Sequence, residues 1–247
     1  MTQGKSAPQN EGKQLILHEV LNDEARCVEH VRGYYRDDVA FGEPRTGVEF
    51  DAWAGGGDRP DSADRFTADD FVAVSFLSVN VPPAAAISLI RDEDGTVERL
   101  LQQIPVDLSI TDLTTQALYE EHLGPGSPAD MLWDRVTRTG DLRWGIGQTI
   151  GSKILARKRP NLIPIVDDVI RQLIGKGRYW HDWHAAMTDD TDLPGRLERI
   201  KAASGIIARG YDPGVLRLLD VILWSEGKED ARRRRDVAAA AATVLIP

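Results

Sequence analysis

Glycine and proline cut this chain into short segments, and most segments between the cuts repeat their apolar residues with helical period. Leu15, Leu17, Val20, Leu21, Cys27, Val28 and Val31 approximate one helical face, which runs from near Lys13 towards Tyr34 and Tyr35. Thr67 reads as an N-cap, with Asp70 three residues on and Phe66 placed to staple against Phe71, so a helix should run to about Val79. Further helices are expected at 84–91, 96–103, 111–122 and 128–138, the last opened by Ser127 as cap and Pro128 at its first position. One more starts at Gly147 or Gln148 and stops before Pro160, and others fall near 168–175, 179–187, 194–208, 213–225 and 228–243. Residues 41–65 hold Gly42, Pro44, Gly47, Gly55 to Gly57 and Pro60, and read as a long loop with a short extended piece at Gly47 to Trp53. No convincing period-two alternation appears elsewhere, so the expected fold class is all-α. The expected division is a disordered tail over 1–12 and an N-terminal helix with the long loop over 13–65, packing on the C-terminal lobe. A central helical lobe over 66–160 and a C-terminal helical lobe over 161–247 complete it.

With 42% hydrophobic and 28% charged positions in 247 residues, the chain has enough apolar surface to bury a core. No stretch approaches eighteen consecutive apolar residues, and Met1 to Lys13 lacks the apolar region of a secretory signal. The expectation is a cytoplasmic monomer without a membrane partner. A single cysteine, Cys27, excludes an internal disulfide, a four-cysteine zinc site and an iron–sulfur cluster, and reads as a core thiol. The net charge of −9 argues against a polyanionic partner, but its distribution argues the other way. Between Lys153 and Arg178 stand seven cations (Lys153, Arg157, Lys158, Arg159, Arg171, Lys176, Arg178) against two acids, Asp167 and Asp168. That balance fits a basic face on an acidic body, or a solvated helix face.

Residues 144 to 171 carry the chemistry. Gly145 and Gly147 let the backbone turn tightly before the next helix, whose free N-terminal amides and dipole suit a phosphate. Gln148, Thr149 and Gly151 belong to that N-terminal segment, and Lys153 and Arg157 on the same helix would strengthen the site. Beyond Pro160 an apolar segment, Leu162 to Val166, leads into Asp167 and Asp168. This order of glycine, hydrophobic residue, glycine, helix, proline, hydrophobic pair and aspartate resembles the core of the helix-hairpin-helix DNA glycosylases, over this stretch alone. Asp167 lies 22 positions after Gly145, as that family separates hairpin and catalytic aspartate. Two departures stand out: Arg143-Trp144 replaces the usual Leu-Pro, and Asp168-Val169-Ile170 follows the aspartate where the family often has Thr-His-Val. As a whole the chain also resembles an uncharacterised bacterial domain family, which adds no chemistry.

The resemblance implies a two-lobed helical glycosylase-like fold, with Asp167 stabilising positive charge on a deoxyribose or orienting the attacking water. It implies double-stranded DNA with a modified or damaged base as partner, in repair or in defence against phage DNA. It places Thr149 where strand-cutting members carry a nucleophilic lysine, so the enzyme should be monofunctional. No metal or cofactor is implied, and a monovalent cation on the hairpin carbonyls, as in many of those proteins, stays open. Tyr34, Tyr35, Glu49 and Trp53 flank the long loop and are the candidate base-pocket residues. Ordinary readings stand beside these. Asp167 is also a preferred helix cap, and such hairpins also serve noncatalytic DNA-binding proteins. The overall acidity fits a helical interaction protein without nucleic acid. His181 and His184 have a metal-compatible spacing but sit between Trp180 and Trp183, which favours aromatic packing, and the run Arg232 to Arg235 reads as a solvated helix face.

Overall fold

Thr67 and Asp70 close a reciprocal cap: the Thr67 amide donates to Asp70 Oδ2 at 2.8 Å, and the Asp70 amide donates to Thr67 Oγ1 at 3.4 Å. The Phe66 and Phe71 rings pack 5.9 Å apart beside it, as a staple requires. Local devices of this kind set most elements in the computed structural model, which describes residues 19–36, 45–138, 144–174, 180–189 and 191–244. The expected tail over 1–12 and the start of the first helix near Lys13 lie outside those residues.

The elements are α1 (Glu24–Tyr34), α2 (Ala68–Ser75), α3 (Pro83–Arg91), α4 (Thr96–Gln102), α5 (Gln116–Leu123), α6 (Pro128–Thr137), α7 (Gln148–Lys158), α8 (Asp168–Ile174), α9 (Trp180–Thr188), α10 (Leu193–Ser204) and α11 (Val215–Val244). No strand occurs among the described residues, so the protein is all-α. The extended piece expected at Gly47 to Trp53 is replaced by two 3₁₀ turns, Thr46–Glu49 and Trp53–Gly55. No helix of the described residues is long and apolar enough to cross a membrane.

One expectation is overturned with a clear cause. Segments 213–225 and 228–243 form a single helix, α11, that runs through Gly227. A Cβ on Gly227 would stand 2.4 Å from Val169 Cγ1, so this glycine permits a close crossing of α8 and α11 and does not stop the helix. The helix tolerates it because an interior glycine costs only about 1 kcal/mol relative to alanine. Gly151 plays the same part between α6 and α7, where a Cβ would meet Thr137 Cγ2 at 2.9 Å.

The buried side chains form one continuous cluster from Leu21 to Leu223, with Trp180 and Trp183 among its largest members. α1 packs on α10 and α11, which joins the first described helix to the last two, while α2 and α6 both pack on α7. α7 is consequently covered on all sides from Gly151 to Lys158. That burial decides the fate of its cations.

Candidate active site

Helices α7, α8 and α11 converge on a cavity of about 370 Å³, within the range of small-molecule sites, roughly 300–1,000 Å³. α7 contributes Thr149 and Lys153, four residues apart and therefore on one face. The segment entering α8 contributes Ile165, Asp167, Asp168 and Val169. α11 contributes Arg217, Asp220, Val221, Trp224 and Lys228, spaced by threes and fours along one face. Tyr34 from the end of α1, Arg45 to Gly47 and Phe76 to Val79 complete the wall.

Asp167 is half-buried and caps α8: its Oδ1 accepts from the amides of Val169 and Ile170 at 2.9 and 3.0 Å. Its Oδ2 has no hydrogen bond among the described residues. Capping thus occupies one oxygen and leaves the other to the cavity. Lys153 is buried, and its Nζ donates to the Leu77 carbonyl at 3.0 Å. Burial pushes this ammonium below the usual lysine range, while attraction from Asp167 and Asp220 opposes the change. Asp220 is buried and pairs through Oδ2 with Arg217. Burial pushes the Asp220 carboxyl up to about 6, against the pull of Arg217 and with a further push from Asp167. Arg217 is fully engaged: besides Asp220 it donates to Asp51 Oδ2 at 3.1 Å, to the Tyr34 hydroxyl at 2.8 Å and to the Gly47 carbonyl at 2.9 Å. The result is a water-accessible pocket lined by three aspartates, Asp167, Asp168 and Asp220, and a buried amine, and walled by Tyr34, Phe76 and Trp224.

Of the residues singled out in the sequence, Asp167, Thr149, Lys153 and Tyr34 come together on this cavity. Gly145, with φ of +85°, and Gly147, the N-cap of α7, are exposed beside the half-buried Gln148 at the start of that helix. Others lie elsewhere. Arg157 cannot meet a phosphate in this arrangement, because it is buried and donates to the carbonyls of Phe50, Asp51 and Trp53. Gly151 faces Thr137 and Trp133 inside the α6–α7 contact. Tyr35 is buried against Tyr211, Glu49 is exposed away from the cavity wall, and Trp53 packs on Phe76 from the outside while donating to Asp69.

Of the seven cations expected to form a basic face over 153–178, Lys176 and Arg178 lie outside the described residues, and four of the other five are turned inward. Lys153, Arg157, Lys158 and Arg159 are all buried. Lys158 donates to the Gly57 and Ser62 carbonyls at 3.0 and 2.9 Å, and Arg159 to those of Ile104, Ala63 and Leu101 at 2.7 to 2.9 Å. A long loop has carbonyls that need donors, and cations at the C-terminal end of α7 supply them. Asp70 compensates the charge, 2.6 Å from Lys158 Nζ and 3.5 Å from Arg157 Nε.

His181 and His184 do not form a metal pair: both rings pack on Tyr119, at 5.6 and 4.7 Å, and His184 Nε2 meets the Leu113 carbonyl. Among the described residues, His30, Glu226 and Glu229 bring possible ligand atoms within 4.8 Å of one another. Arg26 and Arg233 already bridge both of these carboxylates, which makes the group an ion-pair network tying α1 to α11. The cavity-lining residues that sequence reasoning missed include Arg45, Phe76, Arg217, Asp220, Trp224 and Lys228. For the α11 members the signal was the three- and four-residue spacing of Arg217, Asp220, Trp224 and Lys228 along one helix face.

Comparison with known proteins adds a family but no chemistry. No curated protein matches the chain, and no solved structure does. A family model matches residues 27–227, which span the cavity from Tyr34 to Trp224, and the chain belongs to that family, a family of unknown function (DUF6308).

Proposed function

We propose that this protein is a monofunctional DNA N-glycosylase that removes a modified or damaged base, in repair or in defence against phage DNA. The observation that carries the reading is Asp167: it stands at the expected distance after the hairpin glycines, its carboxylate caps α8 through Oδ1, and it lines a cavity shared with Asp220 and Lys153. The reaction breaks the bond between C1′ and the base nitrogen, and the electron pair leaves with the base. A carboxyl pushed up to about 6 is suited to protonate that leaving nitrogen, which assigns the acid to Asp220. Asp167 stabilises the positive charge on the sugar and takes the proton of the water that attacks C1′. Tyr34, Phe76 and Trp224 offer aromatic faces for a base taken out of the stack. Arg157 has no part in this reading, which leaves the N-terminal amides of α7 that follow Gly147 as the phosphate contact on that helix.

The test is incubation with duplex DNA carrying assorted base modifications, followed by alkali to cut abasic sites. Asp167→Asn keeps a capping side chain, so it should fold and bind DNA while excision falls about 10²–10⁴-fold. A monofunctional enzyme should give no strand cleavage before alkali. Undiminished excision by Asp167→Asn refutes the assignment. The second reading, a noncatalytic DNA-binding protein of the same hairpin type, draws on the cap that Asp167 makes to α8. It predicts duplex binding without release of any base.

A further inference from the structure

The outer part of α11 stands out from the body of the protein. Residues 232–239 are all exposed, and eight consecutive positions wind through about two full turns, so no face of the helix is covered there. The run of alanines from Ala238 to Ala242 has the helix propensity to stay wound without packing. The cations on this rod are not spread evenly. Lys228, Arg232 and Arg235 follow at intervals of four and three, the spacing that stacks side chains on one face. That face continues the line of Arg217, Val221 and Trp224 out of the cavity.

Two of the three acids of this segment, Glu229 and Asp230, lie off the line, and Asp236, four residues after Arg232, borders it. Glu229 and Asp230 engage Arg233, and Asp236 reaches Arg232 only at 4.0 Å, with the Arg232 side chain still 80% exposed. Arg235 donates from Nε to the Ala231 carbonyl at 3.3 Å, and its terminal nitrogens make no hydrogen bond among the described residues. At the cavity mouth, Arg45 and Lys228 stand over the Trp224 ring at 5.3 and 5.4 Å. Cations therefore begin at the mouth and continue outward along a single helix face.

We infer that this face is a track for the phosphodiester backbone of the strand whose nucleotide enters the cavity, an inference that rests on the nucleic-acid reading above. From Lys228 to Arg235 the helix rises about 10 Å. At about 3.4 Å of duplex axis per phosphate of one strand, that length covers about three phosphate-to-phosphate steps, enough for each of the three cations to meet a phosphate. The track supplies the backbone contact that the buried Arg157 cannot.

The experiment measures binding of the full-length protein to a fluorescein-labelled DNA duplex with one tetrahydrofuran abasic analogue, by anisotropy over a series of KCl concentrations. Arg232→Ser combined with Arg235→Ser should weaken Kd about tenfold near physiological salt and flatten the plot of log K against log salt by about 2. Arg234→Ser removes a charge from the other side of the same exposed helix and should change Kd less than about twofold. If Arg234→Ser weakens binding as much as either track substitution made singly, net charge alone acts and the track is overturned. An unchanged Kd in the double variant overturns it as well. So does an Arg232- and Arg235-dependent co-sedimentation with phosphatidylserine vesicles while duplex Kd stays constant, which would make the face a membrane contact. The two proposals fail separately. Loss of duplex affinity in the double variant upholds the track even where no base is excised, and excision with unchanged KM in that variant overturns the track alone.

Discussion

Replacing Asp70 by asparagine isolates the charge that holds the long loop to α7. The substitution preserves shape and keeps an oxygen for the Thr67 amide, now 2.8 Å from Asp70 Oδ2. What it removes is the carboxylate 2.6 Å from Lys158 Nζ, a side chain with no exposure at all. Breaking a buried pair by deleting one partner costs about 3–5 kcal/mol, because the other charge stays behind uncompensated. The lysine sets a ceiling on the unpaired-charge part of that loss, since it can escape by losing its proton. With an unfolded lysine pKa of about 10.4 and 1.36 kcal/mol per pKa unit, escape costs about 4.6 kcal/mol at pH 7 and about 1.9 kcal/mol at pH 9. The ammonium already lies below the usual lysine range through burial, with Asp70 pulling the other way, so removing Asp70 lowers it further. A group with a depressed folded pKa releases its proton more readily in the folded state, so raising the pH favours the folded variant. The expected destabilisation is thus about 3–4.6 kcal/mol at pH 7, shrinking to about 2 kcal/mol at pH 9.

Urea titrations followed by tryptophan fluorescence would measure this, since Trp180 and Trp183 are buried reporters. The corresponding drop in Tm is roughly 6–18 °C for a chain of this size. Asp64→Asn is the control: Asp64 pairs with Arg159 at 3.0 Å but is 43% exposed, so its loss should cost no more than about 1 kcal/mol. An Asp70→Asn variant within about 1 kcal/mol of the parent protein, or one whose deficit grows with pH, would refute the reasoning.

Gly227→Ala should destabilise by about 1–3 kcal/mol, although alanine is the better helix former, because its Cβ meets Val169 across the α8–α11 crossing. A neutral or stabilising result in the same urea titration would mean that the crossing yields without cost. The acid role given to Asp220 predicts a pH profile: excision kcat/KM should fall as pH rises through about 6, where its proton is lost. Asp220→Asn should abolish that limb. Asp167→Asn should shift any residual limb to lower pH, since the Asp167 charge is one of the influences that raise Asp220. A profile flat from pH 5 to pH 8 in the parent protein would remove Asp220 from the reaction.

What could be read from the sequence, and what could not, divides along the range of the interaction. Thr67 with Asp70 marks a helix start through a contact three residues apart, and Ser127 followed by Pro128 marks another, so local pattern placed α2 and α6. Gly227 looks like a helix stop by the same local rules, yet its partner is Val169, 58 positions away, and no window along the chain contains both. Charge counting failed for a related reason. A tally of cations cannot tell whether Arg157, Lys158 and Arg159 face solvent or loop, and here the hydrogen-bond demand of the segment over 50–64 turns all three inward.

The candidate site shows both regimes at once. Asp167, Thr149 and Lys153 share a stretch of 19 residues, short enough for one motif to place them together. Asp220 and Trp224 reach the same cavity only because α11 crosses α8 at Gly227, so the second carboxylate was invisible until that crossing was known. The consequence is that the cavity's chemistry depends on a packing glycine at its edge. A side chain at position 227 that forces α8 and α11 apart would change the spacing of Asp167 and Asp220, and with it the push that Asp167 exerts on the Asp220 carboxyl. Gly227→Ala should therefore move the acid limb of excision downward along with stability, while an equally destabilising change remote from the cavity, such as Leu100→Ala, should lower stability and leave the limb in place.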